Sequence, residues 1–118
     1  MGTSFKDLVV WQRAVELTTE IYRLTAAFPP SEQFGLSNQF RRASVSIASN
    51  IAEGYGKSTR GEYLQSLGHA RGSNCELQTQ LIIAKALDFG AVNAYESVER
   101  LSADVSRLLI ALMKKLKG

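Results

Sequence analysis

Four stretches of this chain repeat apolar residues at alternating steps of three and four, and its two prolines stand together at Pro29-Pro30. A helix turns once in about 3.6 residues, so this rhythm lines the apolar side chains along one face. In the first stretch Ala14, Leu17, Ile21, Leu24 and Phe28 carry it, and Trp11, Val15 and Tyr22 widen the face, which predicts a helix over about Ser4 to Phe28. Pro29-Pro30 ends it, because proline disfavours helical geometry in the residue before it and donates no hydrogen bond.

The second stretch has two readings. "SVSIAS" alternates apolar and small polar residues as a half-buried strand would, yet Leu36, Phe40, Ala43, Ile47 and Ile51 also form a helical stripe. No second strand with a hairpin turn lies nearby, and an isolated strand leaves its backbone unsatisfied. The spacing therefore predicts a helix from about Ser37, as N-cap, to Glu53, stopped by Gly54 and Gly56. Thr59-Arg60-Gly61-Glu62 is a capping box that opens a third helix, with Tyr63, Leu67, Ala70, Asn74, Leu77, Leu81 and Ala84 as its seam and Gly90 as its stop. Asn93-Ala94-Tyr95-Glu96 reads as a second box with Asn93 as cap, followed by Val98, Leu101, Val105, Leu108, Leu112 and Leu116. Helices joined by short connections pack as antiparallel neighbours. The expected fold is all-α, an antiparallel up-down-up-down four-helix bundle forming one domain over residues 1–118.

The sequence "NIAEGYGKSTRGEY" contains Gly56-Lys57-Ser58-Thr59, which resembles the end of a phosphate-binding loop. That loop needs a glycine five residues before its Gly-Lys-Ser/Thr, following a strand. Here the position is Ile51, inside a helical stripe. The segment is a turn with a helix cap, and nucleotide hydrolysis is not expected.

Three blocks, "FKDLVVWQRA" (Phe5 to Ala14), "RRASVSIASNIAEGYGK" (Arg41 to Lys57) and "ARGSNCELQTQL" (Ala70 to Leu81), resemble the four-helix-bundle proteins encoded in intervening sequences of bacterial 23S ribosomal RNA genes. The resemblance extends over nearly the whole chain, with the blocks in order and at matching spacing. It also reaches the related accessory variability determinant proteins of diversity-generating retroelements, which are basic bundles that assist a reverse transcriptase. It implies an up-down-up-down bundle, a homopentamer, and contact with nucleic acid or with a nucleic-acid enzyme. Asn74 departs from the pattern, in which an apolar residue stands more often, and this leaves the packing around the third helix open.

The 14 Lys and Arg against 11 Asp and Glu give a net charge of +3. That balance is compatible with nucleic acid without requiring it. In the expected topology the first residue, the turn at Lys57 and the C-terminus share one end. Lys6, Lys57, Arg60, Lys114, Lys115 and Lys117 gather there, with Glu32, Asp88, Glu96 and Glu99 toward the other. Such an end focuses potential on phosphates. Lysines near a helix C-terminus also complement its dipole, and the sequence leaves both roles open for Lys114, Lys115 and Lys117. Arg41 and Arg42 are a second candidate basic site.

Gly68 and Gly72, four apart, and the small Ser44, Ser46 and Ser49 suggest close packing of the second and third helices. Two mid-helix glycines cost about 1 kcal/mol each against alanine, so a packing use is expected. Glu53 and Arg71 are read either as an ion pair bridging these helices or as two solvated charges. Trp11 is assigned to the core rather than to a base-stacking platform, Cys75 to a buried small apolar position, and His69 to the surface or an interface. One histidine and one cysteine, without the paired Glu-x-x-His of a di-metal bundle, give no metal set and no nucleophile–base pair. No cofactor is expected. No apolar run approaches membrane-spanning length and the first residues carry no signal-like apolar block, so a cytoplasmic protein is expected. The leading function is a non-enzymatic oligomer binding RNA or DNA through phosphates. The alternative is a protein-interaction scaffold or accessory subunit for a nucleic-acid enzyme.

Overall fold

The computed structural model describes residues 4–118. Four helices account for most of it: α1 (Val9–Ala26), α2 (Leu36–Tyr55), α3 (Arg60–Ala86) and α4 (Ala94–Lys117), with short 3-10 turns at Phe5–Asp7 and Pro30–Glu32 and no strand among the described residues. Helix α1 packs on α2 and α4, and α3 packs on the same two, so the helices stand at the corners of a square. The cross-links run in antiparallel register. Thr18 Oγ1 donates to the Ser44 carbonyl and Arg41 Nε to Thr25 Oγ1 between α1 and α2. Ser46 meets Ser73 between α2 and α3, and Asn74 meets Ser102 while Lys85 meets Glu99 between α3 and α4.

The stripes read from the sequence are the core. Ala14, Leu17, Ile21, Phe40, Ile47, Ile51, Leu67, Leu77, Val98, Val105 and Leu109 are buried along the axis, and Phe28 closes one end against Phe40 and Phe89, with ring centroids 5.5 Å apart in each pair. Burying such side chains is the dominant favourable contribution to folding. Ile51, the residue standing where a phosphate loop needs glycine, is fully buried in α2.

The helix ends show where local rules compete. The capping box at Thr59 forms in full, with Glu62 N–H donating to Thr59 Oγ1 (3.1 Å) and Thr59 N–H to Glu62 Oε1 (3.2 Å). The first helix starts later than expected. Ser4 caps the Phe5–Asp7 turn, Leu8 is extended at φ −73, ψ 124, and α1 begins at Val9. Ser37 is not the cap of α2 but a buried residue within it, because Glu32 Oε1 takes the Leu36 N–H at 3.0 Å and starts the helix earlier. Gly54 does not stop α2; the helix runs through it to Tyr55, with Gly56 as the cap. Helix α3 ends at Ala86, before Gly90, in a turn where Asp88 (φ 59) and Gly90 (φ 75) are left-handed. Asn93 makes no side-chain cap: the Ala94 and Tyr95 amides donate to the Ala91 and Val92 carbonyls, so the first donors of α4 already have partners.

Candidate nucleic-acid interface at the basic end

The antiparallel register brings the α2–α3 turn and the end of α4 to one end of a body 43 Å long and 24 by 21 Å across. The turn supplies Lys57 and Arg60, and the last turns of α4 supply Lys114, Lys115 and Lys117. Lys6 joins them, because its 3-10 turn packs on both α1 and α2. The first residue, expected at this end too, lies outside the described residues. All six cations are exposed. The four ion pairs among the described residues are Arg13–Glu16, Arg23–Glu20, Lys85–Glu99 and Arg107–Asp104, and none draws on these cations. The nearby Glu62 carboxylate is occupied by the capping box, while Asp7 and Glu53 remain exposed at the same end.

The second candidate pair divides. Arg41 is half-buried, with Nε donating to Thr25 Oγ1 at 2.9 Å and the guanidinium 4.6 Å from the Tyr22 ring centroid. This is a cation–π arrangement that holds the side chain against the bundle. Arg42 is exposed at a groove of about 340 Å³ between α2 and α3, lined also by Asn38, Gln39, Ser46, Ser73, Glu76 and Gln80. Both arginines sit in the first part of α2, away from the lysine-bearing end.

Several sequence assignments are corrected. Of the two readings left open for Glu53 and Arg71, the solvated one holds: both are exposed and form no ion pair with one another. A Cβ at Gly68 or Gly72 would meet nothing within 4 Å, so neither glycine serves the packing of α3 on α2. The close approach lies at Gly54 instead, whose Cβ would stand 2.7 Å from Ser66 Cβ. Ser46 takes part in α2–α3 packing through its 2.9 Å hydrogen bond to Ser73, whereas Ser44 faces α1 and Ser49 is exposed. Cys75 is exposed rather than buried, because its neighbour Asn74 takes the inward position. Val15 and Tyr22 are also exposed. Trp11 packs half-buried on the core and edge-on to Phe5 at 5.2 Å, and His69 is at the surface.

The spacing placed Asn74 in the seam but gave no sign of its polar partners, nor of the burial of Gln80. Asn74 is buried in a hydrogen-bonded set with Ser102 and Gln78, and Gln80 is buried with its Oε1 unpaired. Glutamine at an inward-edge position of the seam was the only available clue. Among the described residues no three His, Cys, Asp or Glu side chains converge as a metal site would require, and no helix is long and apolar enough to cross a membrane.

The family model of the 23S rRNA-intervening sequence protein matches residues 6–111. The chain belongs to that family. The intervening-sequence bundle is also similar to a crystal structure from Bacteroides thetaiotaomicron, described as a protein with unknown function from the S23 ribosomal protein family. The two agree with a TM-score of 0.81 at 26% identity, over 92% of this chain and 98% of that one. Neither the family nor this structure is described as an enzyme. No curated protein matches the chain.

Proposed function

We propose that this intervening-sequence protein is a non-enzymatic homo-oligomer, a pentamer of the bundle, that holds RNA or DNA by its phosphates at the basic end. The observation that carries the reading is the convergence of Lys57, Arg60, Lys114, Lys115 and Lys117, all exposed and outside the ion pairs that neutralise cations elsewhere. Phosphate contact needs positive charge and little shape, and it carries no base sequence. Repetition around a ring lets individually weak sites act together through effective concentration.

The test is a salt titration of binding to a mixed-sequence RNA or DNA fragment. Affinity falls steeply with salt, with a log–log slope of about 0.9 per neutralised phosphate on duplex DNA and about 0.7 on single strands. Replacing Lys114, Lys115 and Lys117 with Gln makes the slope shallower, as does replacing Lys57 and Arg60. Light scattering gives about five times the 13.0 kDa chain mass. Binding untouched by all five replacements moves the site to Arg42.

The alternative, a protein-interaction scaffold or accessory subunit for a nucleic-acid enzyme, draws on the opposite end. Phe34 and Val92 stand 88% and 81% exposed there. The absence of binding at low salt selects this reading.

A further inference from the structure

We propose that the outward face of α3 is a contact surface for a second copy of this chain, with Arg71 of one copy meeting Glu76 of the next. The proposal rests on the homo-oligomer reading and names the face through which that oligomer is built.

Helix α3 has two seams. The inner one is buried. The outer one steps by four and three through Gly68, Gly72, Cys75, Thr79, Ile82 and Ala86 and carries no charge over about 27 Å. The outward side of a bundle helix is ordinarily its polar side, and the other three helices carry charge there, at Arg13 and Glu16, Arg42 and Glu53, and Arg100 and Arg107, beside exposed Val9, Val15, Tyr22, Val45 and Ile110. On α3 the charges stand at the edges and the outermost seam has none. Ile82 is 71% exposed and its neighbour Ile83 is 45% exposed. Thr79 turns its hydroxyl back to the Cys75 carbonyl at 3.0 Å and so presents no unmet polar group. The two glycines face open space, although glycine is the poorest helix residue after proline. Nothing within the chain accounts for them, whereas another backbone approaching closely does.

The edges of this face indicate that the occupant is the chain itself. Arg71 lies on the α4 edge, one heptad before Gln78, which bonds Ser102 of α4. Glu76 lies on the α2 edge and lines the groove there. Neither is in an ion pair among the described residues. One turn beyond Glu76, Gln80 Oε1 is buried without a hydrogen-bond partner, although Arg42 lines the same groove. A rotational ring with its axis along the bundle sets the α4 edge of one copy beside the α2 edge of the next. Arg71 and Glu76 then differ in height by five residues, about 7.5 Å, which an arginine side chain spans. A guanidinium brings several donors to such an edge.

The experiment measures solution mass by light scattering, with circular dichroism as the folding control, for the wild type, Ile82→Lys, Arg71→Glu, Glu76→Arg and the double reversal. The three single variants are expected to drop to the mass of one chain with helical content unchanged, because these side chains are exposed in the single bundle. The double reversal restores the oligomer. A wild-type oligomer that all three single variants leave intact overturns this face while the homo-oligomer stands. Failure of the double reversal to restore assembly overturns the Arg71–Glu76 contact. A wild type that is a single chain at micromolar concentration overturns the oligomer and this surface together.

Discussion

Asn74 and Ser102 exchange two hydrogen bonds across the α3–α4 interface: Asn74 Nδ2 donates to the Ser102 carbonyl at 2.9 Å, and Ser102 Oγ donates to Asn74 Oδ1 at 2.8 Å. Gln78 Nε2 completes the set by donating to Ser102 Oγ at 3.0 Å. The departure at Asn74 from an apolar seam is therefore satisfied by the facing helix. Replacing Asn74 with Ala removes both exchanges, leaves the buried Ser102 hydroxyl without its acceptor, and costs about 1–3 kcal/mol in urea unfolding. A cycle with Ser102→Ala shows coupling of about 0.5–3 kcal/mol, as expected of side chains in one network. Additive effects would contradict the pairing.

Gly54 is the glycine that the packing of α2 on α3 requires. An added Cβ would stand 2.7 Å from Ser66 Cβ and 3.0 Å from the Tyr63 ring. Gly54→Ala lowers stability by about 1–3 kcal/mol, the usual range for overpacking. Gly61→Ala is the control, because nothing lies within 4 Å of its Cβ position. It leaves stability unchanged or higher, since alanine is the better helix residue. Equal effects at the two positions would show that α2 and α3 are not in close contact at Gly54.

Arg41 acts as a structural residue. Its bond to Thr25 Oγ1 and its place over Tyr22 tie α2 to the end of α1. Arg41→Gln lowers the unfolding free energy by about 1 kcal/mol, through one hydrogen bond and one cation–π contact. Arg42→Gln leaves it unchanged. Thermal unfolding of the two variants side by side separates them.

Tyr95 sets an alkaline limit. Its phenol is buried and donates to the Phe89 carbonyl at 2.6 Å. Burial first, and the nearby Glu99 carboxylate second, raise its pKa above the usual value. The folded-state pKa lies above the unfolded one, so this contribution to stability is fully present below about pH 10 and is lost as pH rises through the folded pKa. Tyr63 acts in the same direction, through burial and then Tyr55. Unfolding measured from pH 8 to 11 shows declining stability at the top of the range. Tyr95→Phe flattens that decline, and an unchanged pH profile would reject the assignment.

The four helices and the capping box at Thr59 were legible in the sequence because each depends on residues within one or two turns of each other. Spacings of three and four place Leu17, Ile47, Leu77 and Val105 on faces whatever those faces later meet, and the Thr59–Glu62 exchange is complete within its own turn. The end-to-end placement of charge followed as well, since short connections force antiparallel neighbours. The rest was settled by which helix stands opposite which residue. Ser37 and Asn93 had the chemistry of caps, but Glu32 and the carbonyls of the preceding turn took the amides first. Cys75 and Asn74 differ by one position, or about 100° around the helix. The spacing set Asn74 in the seam, but only the phase of α3 against α4 brought Ser102 to satisfy its amide and turned the Cys75 thiol outward. Gly54, Gly68 and Gly72 look alike as letters, yet only at Gly54 does a neighbouring side chain come within contact distance. Periodicity is a property of one helix, whereas register and the close approach of two helices belong to the pair.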